Sequence, residues 1–176
     1  MILETDRLLL RKLKETDYGS LCRILQDEKV MYAYEHAFSD DEVLEWLNKQ
    51  IMRYKNEGVG LWAVILKGTN NMIGQCGLTY QDCDGEKLLE VGYLFEKAYW
   101  HKGYATEAAV ACKNYAFDVM GADAVYSIIR DNNIPSQNVA KRNGMHPIKT
   151  MVKHYYGMDM PHIVYAVYRG KECDLK

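Results

Sequence analysis

The stretch from Glu90 to Ala108 constrains this chain most. Leu88 to Phe95 reads as a strand, a loop runs to Lys102, and a helix opens at Gly103. A helix start carries unpaired N–H groups and a partial positive charge, so a strand that feeds straight into one aims both at its own end. Such a junction binds phosphate. Gly103 removes a side chain where an anion would approach the backbone, Ala105 nearly does, and His101 and Lys102 add side-chain charge. No Gly-Lys-Ser/Thr follows, which excludes a Walker loop, and no Gly-x-Gly-x-x-Gly follows the first strand, which excludes a dinucleotide turn. The plain alternative is an ordinary loop-to-helix turn in which Gly103 serves packing.

The rest of the pattern surrounds this junction with strands and helices. Thr5 to Arg11 reads as a first strand, with Leu8 and Leu10 on one side, and Thr16 as the cap of a short helix carrying Leu21, Ile24 and Leu25. Ser39-Asp40-Asp41-Glu42 is a capping box that opens a second helix, ended by Gly58. Strands follow at Leu61 to Lys67, Met72 to Tyr80 and Leu88 to Phe95. Gly74 and Gly77 mark a bulge or a close approach in the middle one. The helix from Gly103 to Met120 has a side of small residues, Ala108, Ala109, Ala111, Cys112 and Ala116, which suits close packing on a sheet. Ala124 to Arg130 is a strand, and Ser136 to Asn143 is a short helix capped by Ser136. Two last strands, His146 to Tyr156 and His162 to Tyr168, flank a turn from Gly157 to Pro161. The order βααβββαβαββ predicts an α/β fold, one domain over 1–170 with a tail at 171–176, built on a mixed, mostly antiparallel central sheet with helices on both faces.

Composition narrows the function classes. The 176 residues carry 22 basic and 24 acidic side chains, which argues against bulk binding to nucleic acid or an acidic membrane. The longest apolar run, Leu61 to Leu66, is far too short to span a bilayer. The five cysteines make an odd number with no Cys-x-x-Cys, and no histidine pair has metal spacing. Free thiols in a reducing cytoplasm, and no metal, are the expectation. Fourteen tyrosines against three phenylalanines favour half-buried surfaces and wet clefts.

Two segments carry a resemblance. Trp100-His101-Lys102-Gly103-Tyr104-Ala105 resembles the pyrophosphate loop of GNAT N-acetyltransferases, Arg/Gln-x-x-Gly-x-Gly/Ala, except at its first position. Gly-Tyr-Ala-Thr-Glu-Ala at 103–108 is closest to the RimJ/RimL-like branch that acetylates ribosomal proteins. Asn133-Ile134-Pro135-Ser136, followed by Lys141-Arg142-Asn143-Gly144-Met145, resembles the same family's second motif. The opening Leu3-Glu4-Thr5-Asp6-Arg7-Leu8 resembles the branch's first strand, so the likeness covers nearly the whole chain.

The resemblance implies an acyl-CoA N-acyltransferase fold and acetyl-CoA as the acetyl donor. Tyr93, Leu94 and Phe95 would pair their backbone with the pantetheine arm. His101, Lys102, Gly103, Tyr104, Ala105 and Thr106 would cradle the pyrophosphate, and Asn133 would hydrogen-bond the donor. Glu90 is the candidate base, acting through water, since a carboxylate among apolar neighbours can have a raised pKa. Its alternatives are a solvated strand residue or a structural partner. Glu107 more reasonably anchors structure. The family's frequent tyrosine acid would fall at Ala140, which excludes it, and Ser136 is the branch's alternative, holding the thiolate by a hydrogen bond. A backbone N–H near Leu94 or Phe95 would bind the oxyanion.

The acceptor would be an amine, with Tyr32, Tyr34, His36 and Phe38 lining one wall. Tyr155, Tyr156, Asp159 and His162 are further candidates near the last turn, although His154 and His162, with no visible partner, also read as plain surface residues. A peptide or protein N-terminal α-amine is the leading acceptor. A polyamine or aminoglycoside is the competing one, with Glu35, Asp40 and Asp41 near the entrance, and a non-catalytic acyl-CoA sensor is the reading from another class. The chain is expected to act as a monomer or homodimer.

Overall fold

Strand β1 (Leu3–Glu4) and β2 (Leu8–Lys12) open the fold, followed by helices α1 (Tyr18–Leu25), α2 (Glu28–Met31) and α3 (Asp40–Asn56). Next come β3 (Leu61–Leu66), β4 (Asn71–Cys83), β5 (Glu86–Phe95), α4 (Tyr104–Asp118), β6 (Ala124–Arg130), α5 (Ile134–Arg142), β7 (His146–Tyr155) and β8 (Met158–Tyr168). The structure, a computed structural model, describes residues 1–155 and 157–170. Tyr156, the side chain of Tyr155 and the 171–176 tail with Cys173 lie outside the described residues.

The eight strands form one sheet in the order β1-β2-β3-β4-β5-β6-β8-β7. Every neighbouring pair is antiparallel except β5 and β6, which run parallel. Side-chain alternation sorts the helices onto the two faces. Cys76 on β4 reaches Cys112 of α4, and Tyr93 on β5 reaches α5 through Ser136. Gln75 and Leu94 point the other way, where Gln75 meets Trp46 of α3. Ala108, Ala109, Cys112 and Ala116 are fully buried, so α4 lies close on β4 and β5 as its small residues predict.

Gly77 is required by close approach: a Cβ there would collide with the Gly60 carbonyl oxygen. The register between β3 and β4 slips at Val64/Ile65, which leaves Ile73 as an extra residue beside Gly74. Bulge and close approach therefore both occur.

Three local expectations are corrected. Thr16 does not cap α1, since a short 3-10 turn, Glu15–Asp17, precedes it and Asp17 stands at the N-cap. Ser136 does not cap α5. Asn133 does, its side chain accepting from the Ser136 N–H at 3.2 Å, so the helix starts earlier and Pro135 sits in its first turn. The last turn is tighter than expected, with Tyr155 opposite Met158 and Pro161 inside β8. Pro161 is tolerated because it lies just past the Arg130–His162 pair that ends the β6 ladder. Elements β1 and α2 are too short to give a periodic signal.

The four described cysteines, Cys22, Cys76, Cys83 and Cys112, are free thiols.

Candidate active site

A cleft of about 760 Å³ opens between β5 and β6. Its origin is a failure of strand pairing. Among the described residues, β5 and β6 share a single register pair, Glu90 opposite Tyr126. Beyond it, side chains replace the ladder. Ser127 Oγ donates to the Val91 carbonyl at 2.8 Å, and the Ile128 N–H donates to Glu90 Oε1 at 3.1 Å. With these groups satisfied by side chains, the two strands diverge.

The split leaves β5 backbone facing the cleft. Val91 and Phe95 turn their carbonyls away from β4, toward Ser127 and the Trp100 indole N–H respectively. Strand alternation turns Tyr93 the same way, whereas Gly92 and Leu94 pair with β4. The N–H groups on the open side are therefore those of Tyr93 and Phe95. The Leu94 N–H thus faces β4 and the Phe95 N–H faces the cleft.

At the end of β5 the chain enters the loop at 100–103. His101 and Gly103 both adopt positive φ, 59° and 82°, which curls successive N–H groups inward. Glu107 N–H is the first in α4 to find an intrahelical acceptor, the Gly103 carbonyl at 3.0 Å. The N–H groups of Tyr104, Ala105 and Thr106 are left without one. A Cβ on Gly103 would stand 3.3 Å from Arg7 Nη2, so the glycine also admits that guanidinium. Arg7 donates to the Lys102 carbonyl at 3.0 Å, packs 4.5 Å over the Tyr104 ring, and pairs with Glu107 at 2.6 Å. Glu107 also accepts from Thr5 Oγ1 at 2.6 Å and the Arg7 N–H at 3.0 Å. It is an anchor joining the first strands to the start of α4 and, through Arg7, to the 100–103 loop.

Glu90 stands at the opposite end, five residues back along β5, which is roughly 17 Å at ~3.3 Å per residue. Burial pushes its carboxyl above the usual range; Lys153, the Ile128 N–H, Arg53 and Thr79 oppose that without reversing it. Ser136 lines the cleft, and its hydroxyl has no protein partner among the described residues. Asn133 Oδ1 accepts from both the Ser136 N–H and the Tyr32 hydroxyl (2.9 Å), which leaves its amide N–H₂ for a ligand.

Tyr32, Tyr34 and Phe38 line the same cleft. His36 does not: its Nε2 contacts Glu42 Oε1 at 2.8 Å, beside the α3 capping box. The backbone of Tyr155 closes the β7–β8 hairpin; its side chain is outside the described residues. Neither histidine lacks a partner. His154 pairs with Asp159, and His162 is buried at the cleft wall with Nδ1 2.7 Å from the Met160 carbonyl. Burial pushes the His162 pKa down. Sequence reasoning also missed Arg53 and Lys153 in the lining. Lys153 alternates with its β7 neighbours in no telling way, and Arg53 reads as the solvated face of α3.

The Acetyltransferase (GNAT) domain model matches residues 7–146. The chain belongs to the GNAT acetyltransferase family. Acetyltransferases of this family draw on acetyl-CoA, and the curled N–H groups at 101–106 together with the open edge of β5 fit its pyrophosphate and pantetheine. Among its relatives, the uncharacterized protein YkkB of Bacillus subtilis is 36% identical over 152 residues, 86% of this chain and 88% of YkkB. The uncharacterized N-acetyltransferase YnaD of the same organism is 32% identical over 82% of each chain. A GNAT-family acetyltransferase from Bacillus anthracis superposes with a TM-score of 0.80 at 27% identity, over 96% of this chain and 98% of that one. RimL, a ribosomal L7/L12 alpha-N-protein acetyltransferase solved with coenzyme A, shares the fold at 17% identity, with a TM-score of 0.77 over 95% and 97% of the two chains.

Proposed function

We propose that this chain transfers the acetyl group of acetyl-CoA to a primary amine, the α-amine of a peptide or protein N-terminus, in the cytoplasm. The observation that carries the reading is the split between β5 and β6, with a carboxylate at its closed end and an anion loop at its open end. The β5 edge would hold the pantetheine arm, which lays the thioester carbonyl against the Tyr93 and Phe95 N–H groups. The amine nitrogen attacks that carbon and passes its proton to Glu90 through water. The C–S bond then breaks, with the thiolate held by Ser136 Oγ. An α-amine suits this modest machinery, since its pKa of ~7.7–8.0 leaves about a tenth of it free at pH 7.

The cleft lining speaks against a polyamine or aminoglycoside. Glu90 is the one carboxylate in it among the described residues. Glu35 is held by Arg130, and Asp40 by Gln26. A thiol-release assay with acetyl-CoA against N-terminal peptides and small amines tests the proposal. Release is expected with free N-termini and not with blocked ones. CoA binding without release across the panel would make the protein a sensor.

A further inference from the structure

Cations without an ion-pair partner among the described residues line the cleft that holds the proposed base. Arg53 on α3 and Lys153 on β7 are half-buried in the cleft wall, and Lys49 lies one turn before Arg53 at the rim. None of the three forms an ion pair among the described residues. Arg53 and Lys153 enter the cleft lining from different elements and share it with Glu90, on whose carboxylate both act electrostatically. Arg130, another cation of the lining, differs from them in already holding Glu35. Two half-buried like charges repel each other and have lost part of their hydration. Glu90 alone, shared with the Ile128 N–H and Thr79, does not balance them.

We infer that the acceptor carries its own carboxylate, which the Arg53 guanidinium and the Lys153 ammonium bind while the amine faces Glu90. A guanidinium fork matches a carboxylate with two parallel hydrogen bonds, and a lysine beside it supplies a point charge. The same cations favour the neutral form of a nearby amine, which is the form that attacks. They repel a polycationic acceptor. The inference rests on the acetyltransferase reading and narrows its substrate class to amines bearing a nearby carboxylate, whether the side chain of an acidic residue beside a peptide N-terminus or the carboxylate of a free amino acid.

Matched acceptors test it. Peptides with Asp or Glu as second residue are compared with the same peptides carrying Asn or Gln, and free amino acids with their carboxamides, in thiol release and in calorimetric binding to the CoA-loaded protein. In at least one of the two sets the carboxylate member should have a kcat/KM higher by roughly tenfold or more, as expected of a charge-assisted pair. Which set responds identifies the source of the carboxylate. R53Q and K153Q should each pull that ratio toward one, and R53K should restore part of it. Equal or better use of the neutral members in both sets would overturn the inference while leaving the acetyltransferase reading intact. So would a ratio unmoved in both variants, or an R53Q effect confined to the KM for acetyl-CoA, which would assign these cations to the donor's phosphates. Selective binding of the carboxylate members without thiol release would sustain the anion site and sink the transferase reading.

Discussion

Arg7 and Glu107, one hundred residues apart, join the first strands to the first turn of α4, with the guanidinium Nε and Nη2 both 2.6 Å from Glu107 Oε2. The pair supports the 100–103 loop, because the same guanidinium donates to the Lys102 carbonyl. Burial disfavours the Glu107 charge, and the hydrogen bonds from Thr5 and Arg7 overcome it, holding the carboxyl below its usual range. A depressed carboxyl contributes stability above its unfolded pKa and loses it as pH falls through the folded one. E107Q should therefore lower Tm at pH 7, by an amount that shrinks in acid. The substituted amide keeps an oxygen to accept from Thr5 and the Arg7 N–H but loses the charge-assisted contact to the guanidinium, at a cost of about 2 kcal/mol. The KM for acetyl-CoA should rise more than kcat falls.

Glu90 runs with the opposite sign. Its raised carboxyl favours the folded state below the unfolded pKa, and that contribution is lost as pH rises through the folded value. The neutral isostere in E90Q should raise Tm at pH 7–8, while kcat drops by about a hundredfold or more if the carboxylate takes the amine proton. In the wild type, kcat/KM should climb with pH through an apparent pKa above the ordinary carboxylate range. A stabilised E90Q with wild-type turnover would leave Glu90 as a structural partner of the Ile128 N–H.

Asn133 combines two tasks that substitution can separate. N133A removes the α5 cap and should cost about 1 kcal/mol, visible in a urea titration. N133S keeps a capping oxygen and removes the amide donor. An N133S protein of near-normal stability with weakened acetyl-CoA binding would place that amide on the donor.

Ser136 offers the cleanest contrast. Its hydroxyl has no partner among the described residues, and the cap belongs to Asn133. S136A should leave Tm within about 1–2 °C and lower kcat by roughly twofold to tenfold, the worth of one ordinary hydrogen bond. A large loss of stability would show a structural role instead.

Much of this architecture could be read from the residues. Ser39 and Glu42 announce the α3 start, the small residues of α4 announce its close packing, and Gly103 announces the turn into α4. What escaped depends on contacts between distant residues. That Asn133 caps α5 requires knowing that Tyr32 and the Ser136 N–H converge on one oxygen. That His162 is buried, and that Arg53 and Lys153 line one cleft with Glu90, depends on how β7, β8 and α3 close over the sheet. His36 shows the converse: its neighbours Tyr34 and Phe38 face the cleft, yet the capping box draws the imidazole onto Glu42.

The opening between β5 and β6 also has a mechanical consequence. The sheet is continuous from β1 to β5 and again from β6 to β7, and among the described residues one register pair with two side-chain hydrogen bonds joins β5 to β6 across the seam between those blocks. A donor lying along the exposed β5 edge would act as a borrowed strand. It would knit the N-terminal and C-terminal halves into one cooperative unit, so that thermal resistance and amide-exchange protection on both sides of the seam rise together when CoA is added.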